Sequence, residues 1–197
     1  MTGHSLIRDA RRLWGEATRS PFLDAVAAGT LAANAFQRWL AQDYLFAKDL
    51  MAFQALLLAK TPRGCHAPLI GGLAALDKEL GWFESHGARH QVDLDVAPHP
   101  TCRRYTDFLI RCAYTQPYQV LLAMLFGVEA AYLTAWSALS PSGPYAEFIE
   151  RWSSSDFAAY VSSLGGLAEQ HPHEAAQELF NEVLAHEREF WKMSWEG

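Results

Sequence analysis

Three acidic residues occupy positions where the surrounding sequence pattern calls for apolar side chains. Asp43 interrupts a run of apolar and aromatic residues that recur at steps of three and four, and Glu187 interrupts a second such run. Glu129 is the only charged residue between positions 117 and 139. Burial disfavours an ionised carboxylate, so we expect these acids to have raised pKa values and to need partners.

Few basic residues lie on the same helix faces as these acids, so the three together indicate a shared site. A single buried acid is often only structural, paired with an arginine, a tyrosine or a backbone group. Carboxylates that share a site repel one another, and at least one of them then acquires a pKa suited to proton transfer. Such acids can also bind the ring nitrogens and amino group of a flat heterocycle between aromatic walls.

Metal binding is the main alternative role for carboxylates in a helical protein. Bundles that bind two iron ions use Glu-x-x-His pairs on facing helices. The sequence has no such pair, and its nearest equivalent joins Glu182 to His186 four residues later. His186 and Glu187 are adjacent, so they lie on different helix faces. A carboxylate di-iron oxygenase is therefore the less favoured interpretation, and we expect no metal site in the protein.

The elements that position the acids are predicted to be helices. The chain has 197 residues, with 31 Ala and 25 Leu against 7 Val and 4 Ile, a ratio that favours helices over sheets. Turn signals bound the expected helices, and we predict one all-α domain over residues 1–197 that packs as a helical bundle. The longer predicted helices cover about 32–60, 67–86, 101–114, 117–139, 155–170 and 172–195, and shorter ones cover 5–17, 20–29 and a segment ending near 152.

Charge and hydropathy exclude several classes of partner. The net charge is −6 and no basic run occurs, so we expect no nucleic-acid partner. Segment 117–139 is apolar enough to suggest a membrane span, but its central glutamate and its lack of basic flanks favour a core helix, so we expect no membrane partner. The N-terminus has no signal-peptide core, and the three cysteines show no metal-ligand or pairing pattern. We therefore expect a cytoplasmic protein with free thiols.

Six segments of the chain carry a family resemblance. The segments are FQRWLAQDYLF at 36–46, LIGGLAALDKELGWFESHG at 69–87, RRYTDFL at 103–109, LFGVEAAYLTAW at 125–136, RWSSSDF at 151–157 and EREFWKMSW at 187–195. With these segments in this order, the sequence resembles the TenA/thiaminase II family, and within it the subgroup without a catalytic cysteine, TenA_E. The resemblance implies an all-α fold of the haem-oxygenase type without haem, no cofactor, and a homo-oligomer, either a dimer or a tetramer.

The activity that the resemblance implies is hydrolysis in thiamine salvage. The expected substrates are aminomethyl- or N-formylaminomethyl-pyrimidine, and the expected product is hydroxymethylpyrimidine. A non-catalytic pyrimidine-binding or regulatory protein is the alternative. The residues leave open the preferred leaving group, cleavage of thiamine itself, and the choice between water attack and a covalent carboxylate adduct.

The resemblance also implies roles for individual residues. Asp43 is expected to contact the pyrimidine amino group, Glu187 a ring nitrogen, and Glu129 to act as general base or acid. Met124 stands where cysteine-type members carry their nucleophile, and a thioether cannot form the thiolate needed for attack. The predicted substrate-binding residues are Phe46, Tyr105, Met124, Phe126, Tyr132, Trp152 and Phe190.

Overall fold

Helices account for all the regular structure in the computed structural model, which describes residues 3–197. Ten α-helices follow one another through short connections, and no strand occurs in the described range. The predicted all-α fold is therefore confirmed. The helices are α1 (Ser5–Asp9), α2 (Arg11–Ala17), α3 (Pro21–Ala28), α4 (Ala33–Lys60), α5 (His66–His90), α6 (Pro100–Thr115), α7 (Tyr118–Ser137), α8 (Ala146–Trp152), α9 (Ser155–Gln170) and α10 (Ala176–Glu196).

Capping residues set several of these boundaries. The hydroxyl oxygen of Ser20 accepts a hydrogen bond from the Leu23 backbone N–H, which caps α3. Ser154 caps α9 in the same way. Gly29 ends α3 with a φ of 67°, a conformation that glycine adopts without strain.

Three boundaries differ from the prediction. The expected helix at 5–17 is broken at Ala10 into α1 and α2. Helix α5 continues past Gly87 to His90, because Gln91 provides the left-handed cap with a φ of 56°. Gly87 instead allows a close approach, since a Cβ there would lie 2.8 Å from Leu94 Cδ1. The last helix begins at Ala176 rather than at Pro172.

Helix α7 forms the centre of the bundle. It packs mainly on α9 and α10 and also touches α4, and every residue from 120 to 131 is buried. Within residues 3–197 it is the one helix long and apolar enough to cross a membrane, and 83% of its most apolar window is buried inside the fold. A helix enclosed in this way is typical of a protein core. Any polar side chain on it faces either a neighbouring helix or a cavity.

Candidate active site

The three predicted acids line a single cavity of about 440 Å³. Helix α4 contributes Asp43, α7 contributes Glu129 and α10 contributes Glu187. All three side chains are buried. The volume falls within the range of small-molecule sites in proteins, and convergent polar groups in an apolar cavity are typical of such sites.

Two of the acids are held by tyrosine hydroxyls. Tyr132 donates a hydrogen bond to Asp43 Oδ2 at 2.5 Å, and Tyr105 donates one to Glu187 Oε1 at 2.6 Å. Burial raises the pKa of Asp43 and of Glu187 to about 8, although each tyrosine bond acts in the opposite direction. The negative charge of Glu79 raises the pKa of Asp43 further. At neutral pH both carboxyl groups are therefore readily protonated in the free protein.

Glu129 differs from the other two because no side-chain hydrogen bond holds it among the described residues. Burial raises the pKa of Glu129 to about 8, and the negative charges of Glu79 and Glu187 raise it further. A carboxyl group with such a pKa and no fixed partner can both release and accept a proton near neutral pH.

A fourth carboxylate, which the sequence reasoning missed, reaches the cavity from α5. Glu79 accepts a hydrogen bond from Trp152 Nε1 at 2.6 Å, and Arg151 Nε lies 3.9 Å from the same oxygen. Burial raises the pKa of Glu79, while Arg151 and Trp152 oppose that shift. The signal was present in the sequence, since Leu76, Glu79 and Phe83 follow steps of three and four.

Aromatic rings form much of the cavity wall. The Phe46 ring centroid lies 4.8 Å from that of Tyr105 and 5.7 Å from that of Phe190. Tyr132 and Trp152 meet edge to face at 5.3 Å. All five line the cavity, as the sequence predicted, and their roles toward a substrate stay predictions. The further aromatic residues at the cavity are Phe83, Phe157 and Tyr160.

Two predicted substrate-binding residues lie outside the cavity lining. Met124 is completely buried, and the α7 residue that lines the cavity one turn later is Val128. Phe126 packs against Phe180, with centroids 6.1 Å apart, and against the backbone at Gly165. Glu129 marks the face of α7 that borders the cavity. The rest of the helix is apolar on every side, so its sequence does not show how far that face extends on either side of Glu129, and the placement of Met124 and Phe126 there was wrong.

None of the three cysteines lines the cavity. Cys65, Cys102 and Cys112 are buried free thiols, and burial raises the pKa of each, that of Cys102 to about 12. A thiol must be readily ionised to act as a nucleophile. Neither their positions nor their raised pKa values suit these three thiols to attack a ligand in the cavity.

Comparison with known proteins agrees with this fold. A sequence model of the TENA/THI-4/PQQC family matches residues 7–197. The chain belongs to this family. A protein of Glycine max described as a probable bifunctional TENA-E protein is 28% identical to it, over 95% of this chain and 90% of that protein. The crystal structure of a TenA homologue from Pyrococcus furiosus is 30% identical and covers 99% of this chain and 100% of that chain, with a TM-score of 0.91.

A further relative of this TenA family member has a described activity. The aminopyrimidine aminohydrolase of Helicobacter pylori is 23% identical over 98% of this chain and 97% of that protein. The predicted family is thus confirmed. At the level of the family, the comparisons also support a hydrolase-type function related to thiamine salvage.

Proposed function

We propose that this TenA family protein hydrolyses aminomethyl- or N-formylaminomethyl-pyrimidine to hydroxymethylpyrimidine by carboxylate catalysis. The observation that carries the proposal is the convergence of four acids on one aromatic-walled cavity that no described cysteine reaches. The acids are Asp43, Glu79, Glu129 and Glu187.

The charge balance of the cavity favours a cationic, nitrogen-rich ring. Arg151 is the only basic side chain among the described residues that line it, and a fifth acid, Asp156, is exposed. A protonated aminopyrimidine supplies positive charge that stabilises the ionised forms of Asp43 and Glu187. In the proposed complex Asp43 binds the ring amino group and Glu187 binds a ring nitrogen. Rings such as Phe46 cover the faces of the heterocycle.

The proposed reaction exchanges a C–N bond for a C–O bond at the exocyclic methylene carbon. Water oxygen bonds to that carbon while Glu129 accepts a proton from the water. The C–N bond breaks, its electron pair stays on nitrogen, and a protonated acid such as Glu79 supplies the proton that completes the leaving amine. Glu129 suits the base role because no hydrogen bond restrains it and its pKa is about 8. The same residues support the opposite assignment, with Glu129 as the acid for the leaving group.

A panel of four compounds tests the proposed function: thiamine and the aminomethyl, formylaminomethyl and hydroxymethyl pyrimidines. We expect release of hydroxymethylpyrimidine from the aminomethyl or formylaminomethyl compound, measured by chromatography with mass detection. Calorimetric titration with hydroxymethylpyrimidine reports binding independently of turnover. Binding of the pyrimidine with no product from any compound would refute the hydrolase and support the non-catalytic binding protein.

A further inference from the structure

A second group of potential ligands lies away from the cavity, where the end of α5 meets the start of α8. His86 and His90 are one helical turn apart on α5, and Glu147 is in the first turn of α8. One ligand atom from each of the three side chains lies within 4.8 Å of the other two. The pair His86 Nε2 and Glu147 Oε2 is separated by 3.7 Å. None of the three residues lines the cavity.

The two histidines carry ring nitrogens that the described protein does not satisfy. His86 Nδ1 and His90 Nε2 are buried and have no hydrogen-bond partner among residues 3–197. The His86 side chain is only 3% exposed. A buried polar atom without a partner costs free energy, so His90 Nε2 points to a bound species that satisfies it. His86 approaches Glu147 through its other ring nitrogen, Nε2, and that atom is the one placed to share an ion with Glu147. Burial also lowers the pKa of His86, although the charge of Glu147 opposes that shift.

We propose that His86, His90 and Glu147 bind a divalent first-row transition metal ion, with Zn²⁺ the best match. Two imidazoles and one carboxylate are typical zinc ligands, whereas Ca²⁺ and Mg²⁺ require oxygen-rich sites. Two histidines at positions i and i+4 of one helix present their rings on one side for a shared ion.

One of the ligand spacings is close to that of a zinc site. Tetrahedral zinc with bonds of about 2.0–2.1 Å keeps its ligand atoms about 3.3 Å apart. The His86–Glu147 pair at 3.7 Å therefore needs to close by roughly 0.4 Å, and a ligand pair at the 4.8 Å limit of the group needs to close by roughly 1.5 Å. Because the Glu147 side chain is 41% exposed, water can complete the coordination.

Arg89 also binds Glu147, and its role must be separated from that of the metal. Its Nη1 donates to both carboxylate oxygens of Glu147, at 3.0 and 2.9 Å. A carboxylate has about four lone-pair sites, so Arg89 leaves room for an ion on the same group. The ion would join α5 to α8, the helix that carries Trp152 and Arg151 beside Glu79.

Metal titration of the untagged, EDTA-treated protein tests the proposal. We expect one Zn²⁺ per chain by calorimetry with ZnCl₂, a rise in melting temperature, and visible absorption bands of coordinated Co²⁺ after titration with CoCl₂. His90→Gln and Glu147→Gln each remove one ligand and should weaken zinc binding at least tenfold. Mutation of residues that only hydrogen-bond to metal ligands already lowers metal affinity by about 10–100-fold. Glu150→Gln changes an exposed acid on the same helix and should leave binding unchanged.

Arg89→Gln separates the ion pair from the metal site. This variant loses the contact with Glu147 but keeps all three ligands, so the zinc-induced rise in melting temperature should persist. A wild-type protein that takes up no zinc, or a Glu147→Gln variant with unchanged affinity, would overturn the proposal. The Glu147 side chain is partly exposed, so this variant should fold, and circular dichroism checks that it does.

Discussion

Replacement of Glu129 by glutamine should have opposite effects on activity and on stability. Glutamine keeps the shape of the side chain and removes its ability to exchange a proton. Because Glu129 is proposed as the general base or acid, we expect the rate of hydroxymethylpyrimidine release to fall about 10²- to 10⁴-fold. At neutral pH the variant should also resist unfolding better than the wild type, because a buried acid with a raised pKa destabilises the folded state there.

The size of the stability gain follows from the two pKa values of Glu129. The pKa is 4.5 in an unperturbed chain and about 8 in the fold. Between these values the folded protein holds a proton that the unfolded chain releases, so the contribution of Glu129 to stability is lost as pH rises. From pH 5 to pH 7 the loss is about 2–3 kcal/mol. The glutamine variant has no such loss, so its advantage over the wild type should grow by that amount.

Urea unfolding at pH 5 and pH 7, together with the product assay, checks both effects. Glu150→Gln is the matched control, because it makes the same chemical change at an exposed position. We expect the control to retain wild-type activity and to differ little from the wild type in unfolding free energy at either pH. Near-normal turnover of Glu129→Gln would refute its catalytic role. An unfolding advantage that is equal at both pH values would refute the raised pKa.

Four further substitutions test the geometry of the cavity. Tyr105→Phe removes the hydrogen bond to Glu187 and should raise the pKa of that acid. Pyrimidine binding should weaken at least tenfold, because a hydrogen bond to a charged group contributes about 1.5–3 kcal/mol. Unchanged affinity by calorimetry would contradict this prediction. Val128→Phe should fill the cavity and abolish pyrimidine binding. Met124→Leu should leave binding intact and lower the free energy of unfolding by less than about 1.5 kcal/mol. Equal effects of the two variants on binding would contradict the assigned orientation of α7. Gly72→Ala places a Cβ 2.3 Å from polar side-chain atoms of neighbouring helices and should lower the free energy of unfolding by about 1–3 kcal/mol. An unchanged urea midpoint would show that the neighbouring side chains can make room for the added methyl group.

The fold class and three of the four cavity acids could be predicted because their signals are local. Alanine and leucine dominate the composition, and no described residue forms a strand. Asp43, Glu129 and Glu187 each stand out as an acid among apolar helical neighbours. Tyr105 and Tyr132 were also predicted as pocket residues, but their hydrogen bonds to Glu187 and Asp43 join different helices and could not be predicted from local pattern.

The features that sequence reasoning missed depend on tertiary contacts. Glu79 follows Asp77 and Lys78, so its segment has the sequence of an ordinary solvated helix face. In the folded protein Trp152 of α8 donates a hydrogen bond to Glu79 and covers it. Phe126 was wrongly predicted to line the cavity for a different reason. An amphipathic helix shows the width of its buried face, but α7 is buried on all sides, so the sequence marks the cavity face only at Glu129 and does not show its extent.

The four acids of the proposed function, Asp43, Glu79, Glu129 and Glu187, come from α4, α5, α7 and α10, and this affects how the site can form during synthesis of the chain. Their positions extend from 43 to 187 in a chain of 197 residues. No contiguous fragment of modest length contains the site, and a nascent chain has no complete cavity until α10 has left the ribosome and packed on α7. Truncation within α10 should therefore remove the site and part of the core together.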